Sequence, residues 1–210
     1  MPKRDAAYML GQRDAITQAA VDCLLKKGLS ETSMQDVAKA AGVSLGTLYV
    51  HFTDKYELVL AACRASYGPG PSSGWPWPRT PATSWAEFVS EFDKLKKYLR
   101  SDRGRRRLRL SYQIVAELIM NKKNLPGFTD WYEEFANTFR TDLQALHRKG
   151  DVSLPLGLQQ TVQAHINLYQ GAIYTIVANH DADVDAVIHG LKSSLALTAG
   201  AKLAAVQEAG

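Results

Sequence analysis

At 210 residues and 46% hydrophobic content, the chain can bury a sizeable core in one or two domains. Its apolar runs, such as "VSLPLGL" and "YTIVA", are too short to span a bilayer, its N-terminus carries charges but no apolar signal segment, and its two cysteines give no disulfide framework, so a cytoplasmic protein without membrane partners is expected. The net charge of +4 is unevenly spread: residues 1–60 balance seven Lys/Arg against seven Asp/Glu, whereas residues 94–109 hold nine Lys/Arg and one Asp.

The pattern is helical nearly throughout. From Arg13, the apolar positions Ile16, Ala19, Ala20, Cys23 and Leu24 recur at helical spacing, and Gly28 after Lys26 and Lys27 ends that helix. Cys23 lies on the apolar stripe and reads as a buried free thiol. "TSMQDVAKAAG" is a short second helix, with Thr32 and Gln35 as its capping box and Gly42 at its end. "SLGTLYVHF" is a third, with Ser44 as N-cap. Asp54 with Glu57 marks the start of a fourth, running to about Tyr67. Residues 68–84, "GPGPSSGWPWPRTPATS", are too rich in Gly, Pro and Ser for a helix or central strand and read as a linker. Trp75 and Trp77 within it either anchor on a nearby surface or close over a pocket or partner.

Five longer amphipathic segments follow, with apolar residues at i, i+3 and i+4, as in Phe128, Trp131, Phe135, Phe139, Leu143 and Leu146. The last two are expected at about residues 155–179 and 182–205. The fold class is all-α, with about nine helices: a helix-turn-helix domain over residues 1–60, the fourth helix and linker over 61–84, and a larger helical domain over 85–210.

The second and third helices meet the steric demands of a helix-turn-helix. Ala38 and Ala41 allow close crossing, Gly42 tolerates the positive φ of the turn, and Val43 plugs the corner. Leu48 and Phe52 point inward, leaving Ser44, Leu45, Thr47, Val50 and His51 on a short outer face able to enter a major groove. The same Ala/Gly economy would also build an ordinary helical hairpin.

"TSMQDVAKAAGVSLGTLYVHFTDKYELV" resembles the N-terminal domain of the TetR family of bacterial transcriptional regulators. A LacI-type regulator shares "DVAKAAGVS", but its helix-turn-helix opens the chain and lacks the Tyr-x-His-Phe and the trailing Lys. The resemblance covers roughly residues 10–60. It implies phosphate contacts from Ser33, Ser44, Gly46 through its N–H, Tyr49, His51 and Lys55, and places Leu45, Thr47 and Val50 at base edges or the adjoining backbone. Leu45 departs from the basic or polar residue many members carry there, and a leucine would instead meet a thymine methyl. The resemblance further implies that residues 85–210 are a regulatory and dimerisation domain, and that the protein is a homodimer on a palindromic stretch of double-stranded DNA, most simply a repressor, released by a small and mostly apolar effector.

Candidate effector-site residues are Phe88, Tyr112, Gln113, Trp131, Phe135, His165 and Tyr169, a set rich in polar-tipped aromatics. Dimer contacts are expected at Gly171, Ala172, Leu191, Ser194 and Leu195, where small residues permit close helix approach. Arg105, Arg106 and Arg107 crowd a helix start against its dipole; they are candidates for accessory phosphate contacts, with pairing to acids such as Asp14, Asp22 or Asp36, attraction of an anionic ligand, or a plain solvated helix start as the alternatives. A C-terminal domain that binds a protein instead of a small ligand is the alternative. An enzyme is disfavoured: the histidines and cysteines show no metal-ligand spacing, and neither a nucleophile elbow nor a phosphate loop is present. No cofactor or metal is expected.

Overall fold

The computed structural model describes residues 5–67, 80–120 and 125–202, and nine helices form among them. They are α1 (Ala6–Lys27), α2 (Met34–Ala40), α3 (Leu45–His51), α4 (Lys55–Tyr67), α5 (Trp85–Arg100), α6 (Asp102–Met120), α7 (Leu125–Lys149), α8 (Leu158–Ala178) and α9 (Val184–Ala199). Trp75 and Trp77 lie outside the described residues.

The chain divides into two units. One comprises α1–α4 and α6 from Arg106 onward; the other comprises α5, the first residues of α6, α7 from Asp130, α8 and α9. In the first unit, Ile16, Ala20, Val21 and Leu24 of α1 pack with Val37 and Ala38 of α2, Leu48 and Phe52 at α3, and Leu58, Val59 and Ala62 of α4. Leu110 and Ile114 of α6 complete that core, and Tyr56 Oη donates to Glu117 across α4 and α6 at 3.3 Å. In the second unit α9 packs on both α8 and α5.

Local chemistry explains where the helices start and stop. The second helix begins one residue later than the expected capping box would place it. Ser33, not Thr32, is the N-cap: its Oγ accepts from Asp36 N at 3.1 Å, and Asp36 returns a carboxylate to Ser33 N at 3.0 Å. Thr32 turns the other way: its hydroxyl donates to the Gly28 carbonyl at 2.7 Å, satisfying the end of α1. The fourth helix starts as its sequence indicates, with Glu57 N donating to Asp54 Oδ1 at 2.9 Å.

Gly104 is required by close approach: a Cβ there would sit 2.1 Å from the Tyr98 carbonyl oxygen as α6 turns off the end of α5. The ninth helix is shorter than its apolar pattern suggests. Gly200 adopts φ 61°, its N–H caps Ala196 and Leu197, and the chain turns back so that Ser153 N and Leu154 N donate to Gly200 and Ala199.

Candidate nucleic-acid interface

Helices α2 and α3 are joined by the turn Ala41–Gly42–Val43, in which Gly42 takes φ 66° and Val43 N donates back to the Ala38 carbonyl at 3.0 Å. A side chain at Gly42 would be strained in this left-handed conformation. Ser44 caps α3: its Oγ accepts from Thr47 N at 3.0 Å and lies 2.9 Å from the Thr47 hydroxyl. When one hydroxyl donates to the other, the second keeps its proton for an outside acceptor. Leu48 and Phe52, both 0% exposed, fix the inner face of α3. Its outer face is open: Ser44 and Gly46 are exposed, Tyr49 is 48% exposed and Val50 70%.

Leu45 is half-buried and packs against the core of this unit. The residue that looks out of place for contacting DNA is therefore also part of what seats α3. Thr47 is likewise half-buried, and Ser33 is exposed at the start of α2.

The two basic candidates on this surface are engaged within the protein. His51 is only 8% exposed, and its Nε2 lies 2.9 Å from Gln12 Oε1. Lys55 Nζ donates to the Leu29 carbonyl at 2.7 Å, which leaves two of its three protons for other acceptors. Neither is a freely extended cation.

Two α1 residues that sequence reasoning missed hold the far end of α3. Gln12 meets His51, and the Arg13 guanidinium lies 4.1 Å over the Phe52 ring while hydrogen-bonding the His51 carbonyl. A cation at the last carbonyls of a helix is well placed for its dipole. Arg13 also pairs with Glu57 at 3.0 Å. Burial pushes the Glu57 carboxyl up, but hydrogen bonds from Thr53 and Arg13 outweigh it and hold the group below the ordinary carboxylate value. The signal was present: Arg13 lies three and four residues before the buried Ile16 and Thr17, on the inward stripe of α1. At α2, the Lys27 ammonium and the two Ser33 hydrogen bonds hold Asp36 well below the usual carboxylate range.

The arginine run is divided. Arg105 donates to the Leu99 and His180 carbonyls at 3.1 and 2.9 Å, and Arg100 pairs with Asp185. Arg107 is 4% exposed. Of the three candidates for accessory phosphate contacts, Arg106 alone is exposed, so burial of Arg107 and the carbonyl partners of Arg105 correct the expectation of a three-arginine surface.

The expected effector set is also divided. Phe88, Phe135, His165 and Tyr169 come together in the second unit, with Phe139 at their centre. Phe139 lies 6.3 Å from Phe88, 5.4 Å from Phe135, 6.0 Å from His165 and 6.2 Å from Tyr169, centroid to centroid. Phe92, not singled out from sequence, joins at 6.5 Å from Tyr169. Tyr112 and Gln113 belong to the other unit, where Gln113 is exposed. The Trp131 side chain lies outside the described residues.

Among the expected dimer residues, Gly171 is exposed and Ala172 and Ser194 are half-buried. Leu191 and Leu195 are instead 4% and 0% exposed and are used in the unit's own core. The large apolar side chains that α8 and α9 leave outside are Tyr174, 60% exposed, and Leu197, 79% exposed. Among the described residues, no helix is long and apolar enough to cross a membrane, and no group of three or more His, Cys, Asp or Glu could hold a metal ion.

Comparison with known proteins agrees with this geometry. Residues 16–62 match the family model described as bacterial regulatory proteins, tetR family. The HTH-type transcriptional regulator YvdT of Bacillus subtilis (strain 168), itself uncharacterized, is 38% identical over 61 residues, which is 29% of this chain and 29% of YvdT's own length. Two solved structures share the whole fold. SmeT, the repressor of the Stenotrophomonas maltophilia multidrug efflux pump SmeDEF, superposes with a TM-score of 0.65 at 17% identity over 92% of both chains. The multidrug binding protein EbrR complexed with imidazole does so with a TM-score of 0.62 at 21% identity, covering 92% of this chain and 93% of that one.

Proposed function

We propose that this chain, whose residues 16–62 match the tetR family of bacterial regulatory proteins, is a transcriptional repressor that binds a palindromic operator as a homodimer. The observation that carries this reading is the face of α3. A helix seated by Leu48 and Phe52 presents Ser44, Gly46, Tyr49 and Val50 outward, with no carboxylate among them. Ser44, Thr47 and Tyr49 offer hydroxyl donors to phosphates, and Val50 with the outer part of Leu45 offers apolar surface to thymine methyls. Lys55 contributes to phosphates through the two protons that the Leu29 carbonyl leaves free, whereas His51 gives its Nε2 proton to Gln12 Oε1 and contributes by fixing the end of α3. Arg106 supplies an accessory charge.

Dimerisation is assigned to the outward faces of α8 and α9. Gly171, Ala172 and Ser194 allow close approach there, and Tyr174 and Leu197 are exposed apolar groups that a second copy would cover. The regulatory ligand is assigned to the ring layer of the second unit around Phe88, Phe135, His165 and Tyr169. SmeT represses a multidrug efflux pump and EbrR binds imidazole in its solved complex, which makes a small-molecule effector the natural companion of this fold.

A protein partner for the second unit is the competing reading. A shallow cleft of about 440 Å³ lined by Gln144, His147, Arg148, Ser153, Leu154, Gly157 and Leu158 favours it, since such a surface admits a side chain from another chain.

The test is selection of bound DNA from random sequence at physiological salt, followed by a screen of small apolar compounds for release. A palindromic consensus with half-sites about one helical turn apart, or somewhat more, is expected. Selection of no common sequence would end the operator reading. A consensus without any releasing compound would favour the protein-partner alternative.

A further inference from the structure

The last turns of α7, the loop that follows and the start of α8 surround the shallow cleft of about 440 Å³. Its walls carry two kinds of chemistry. Leu154, 9% exposed, and the half-buried Leu158 make the apolar part. Gln144, His147 and Arg148, all exposed, make the polar part. Among the described residues that line it there is no carboxylate.

The polar groups are only partly used. Arg148 Nε donates to the Gln144 carbonyl at 3.3 Å, and among the described residues no carboxylate meets its two Nη groups. His147 Nδ1 lies 3.0 Å from the Val152 carbonyl. A carbonyl only accepts, so Nδ1 carries the proton, and in the neutral ring Nε2 is an acceptor. Compensation of the helix dipole accounts for a basic last turn in α7. It does not account for the two leucines that share a cleft with the open edge of the guanidinium.

The floor of the cleft is pinned to the end of α9. Leu154 takes φ 51°, a conformation that favours glycine. Its N–H donates to the Ala199 carbonyl at 3.0 Å, and its carbonyl accepts from Gly157 N at 2.8 Å. Ser153 N donates to the Gly200 carbonyl at 3.2 Å. A surface held in this way loses little freedom when a partner arrives.

We propose that the cleft docks an extended acidic segment of another protein, with one Asp or Glu carboxylate on the Arg148 guanidinium and a flanking leucine-type side chain on Leu154 and Leu158. The assignment rests on the protein-partner reading of the second unit and names the chemistry that reading requires. The arginine fork takes a carboxylate through two parallel N–H bonds, and His147 Nε2 accepts a backbone N–H of the segment. Leu156, 52% exposed between Leu154 and Gly157 in the chain, offers apolar surface to a second side chain. A chain is favoured over a free acid by the openness of the site. An exposed ion pair contributes little alone, so affinity has to come from contacts along a segment.

The probes are three capped tripeptides, acetyl-Leu-Asp-Leu-amide and its Leu-Asn-Leu and Ala-Asp-Ala analogues, together with free isocaproate. Binding to the full chain is followed through the methyl resonances of Leu154 and Leu158. At low salt the Leu-Asp-Leu peptide is expected to bind about fivefold more tightly than the asparagine analogue and about tenfold more tightly than the alanine one. Arg148→Gln should bring the aspartate and asparagine peptides within about twofold and keep operator affinity within about twofold of the native chain.

Equal binding of the aspartate and asparagine peptides to the native chain overturns the proposal and leaves the protein-partner reading standing. No response of Leu154 or Leu158 to any peptide overturns both at this cleft. Isocaproate binding as tightly as the Leu-Asp-Leu peptide assigns the cleft to a free acid and removes the docked segment. A fivefold preference that survives Arg148→Gln overturns the pairing with Arg148.

Discussion

The outer face of α3, proposed to read DNA, and the ring layer of the second unit are built in opposite ways. At α3 the working side chains point out, and the helix is held by short-range devices: the Ser44 cap, the Gly42 turn, and Arg13 and Gln12 at its far end. In the ring layer the side chains point in and are themselves the core, since Phe88, Phe92, Phe139 and His165 are at most 1% exposed. A site on a surface can change its chemistry cheaply. A site made of core cannot, because each substitution is also a change in stability. Recognition by α3 and by the ring layer should therefore respond differently to mutation.

The largest effect expected from a single change is at Phe139, which touches four other rings of the layer. Phe139→Ala should cost about 3–5 kcal/mol in denaturant unfolding. A loss below about 1 kcal/mol would mean that the layer tolerates a void, and the contrast with α3 would collapse.

Acid should act on the same layer. The folded pKa of His165, about 4, lies below its ordinary 6.5. Between those values the unfolded chain binds the proton and the folded chain does not, so stability should fall as pH drops from 6.5 towards 4. The loss from this group is complete below about pH 4 and amounts to at most about 3 kcal/mol. Its signature is that His165→Phe flattens that part of the stability curve. A variant with the same slope as the native chain would assign the acid sensitivity elsewhere.

Arg13 marks where the contrast is less clean, because it is a packing residue that serves the reading face. Arg13→Ala removes the cover over Phe52, the bond to the His51 carbonyl and the pair with Glu57. A stability loss of about 2 kcal/mol is expected, together with weaker operator binding as the far end of α3 loosens. Arg13→Lys should recover only part of both, since an ammonium cannot lie flat on the ring while donating in two directions. Full recovery by lysine would show that charge alone matters.

The legibility of the two regions follows the same division. The helix-turn-helix was readable because its determinants are local: Gly42 for a positive φ, Ser44 for a cap, and small residues at the crossing. The capping box was misplaced by one position because Thr32 and Ser33 both fit the pattern. What distinguishes them is orientation: Thr32 turns back to the Gly28 carbonyl, and Ser33 faces Asp36 N. In α9 helical phase sets Leu195, 0% exposed, on one stripe with Val184, Ile188 and Leu191 and puts Leu197, 79% exposed, on the opposite side; what phase could not say is which of the two faces the unit's own core takes. Tyr112 and Gln113 share a helical phase with apolar neighbours, but which unit α6 joins from Arg106 onward depends on contacts far along the chain. His51 and Lys55 are visible in the sequence as basic residues. Their partners, Gln12 and the Leu29 carbonyl, were not, because those lie 39 and 26 residues away.

Leu45 supplies the smallest and most discriminating change. It is half-buried against the core of the first unit, yet it sits in the first turn of α3 beside the exposed Gly46. Leu45→Lys should cost only about 1 kcal/mol of stability, because the long lysine stem keeps part of the apolar contact while the ammonium reaches solvent. The new charge reports on how the native face works. If recognition rests on neutral groups, lysine adds a phosphate contact that ignores sequence. Affinity for unrelated DNA should then rise more than affinity for the operator, and the slope of log affinity against log salt should steepen by about 1. A gain confined to the operator would mean that this position reads a base edge in the native protein and that lysine reads it better. In that case the first turn of α3, and not its neutral outer face as a whole, would carry the specificity.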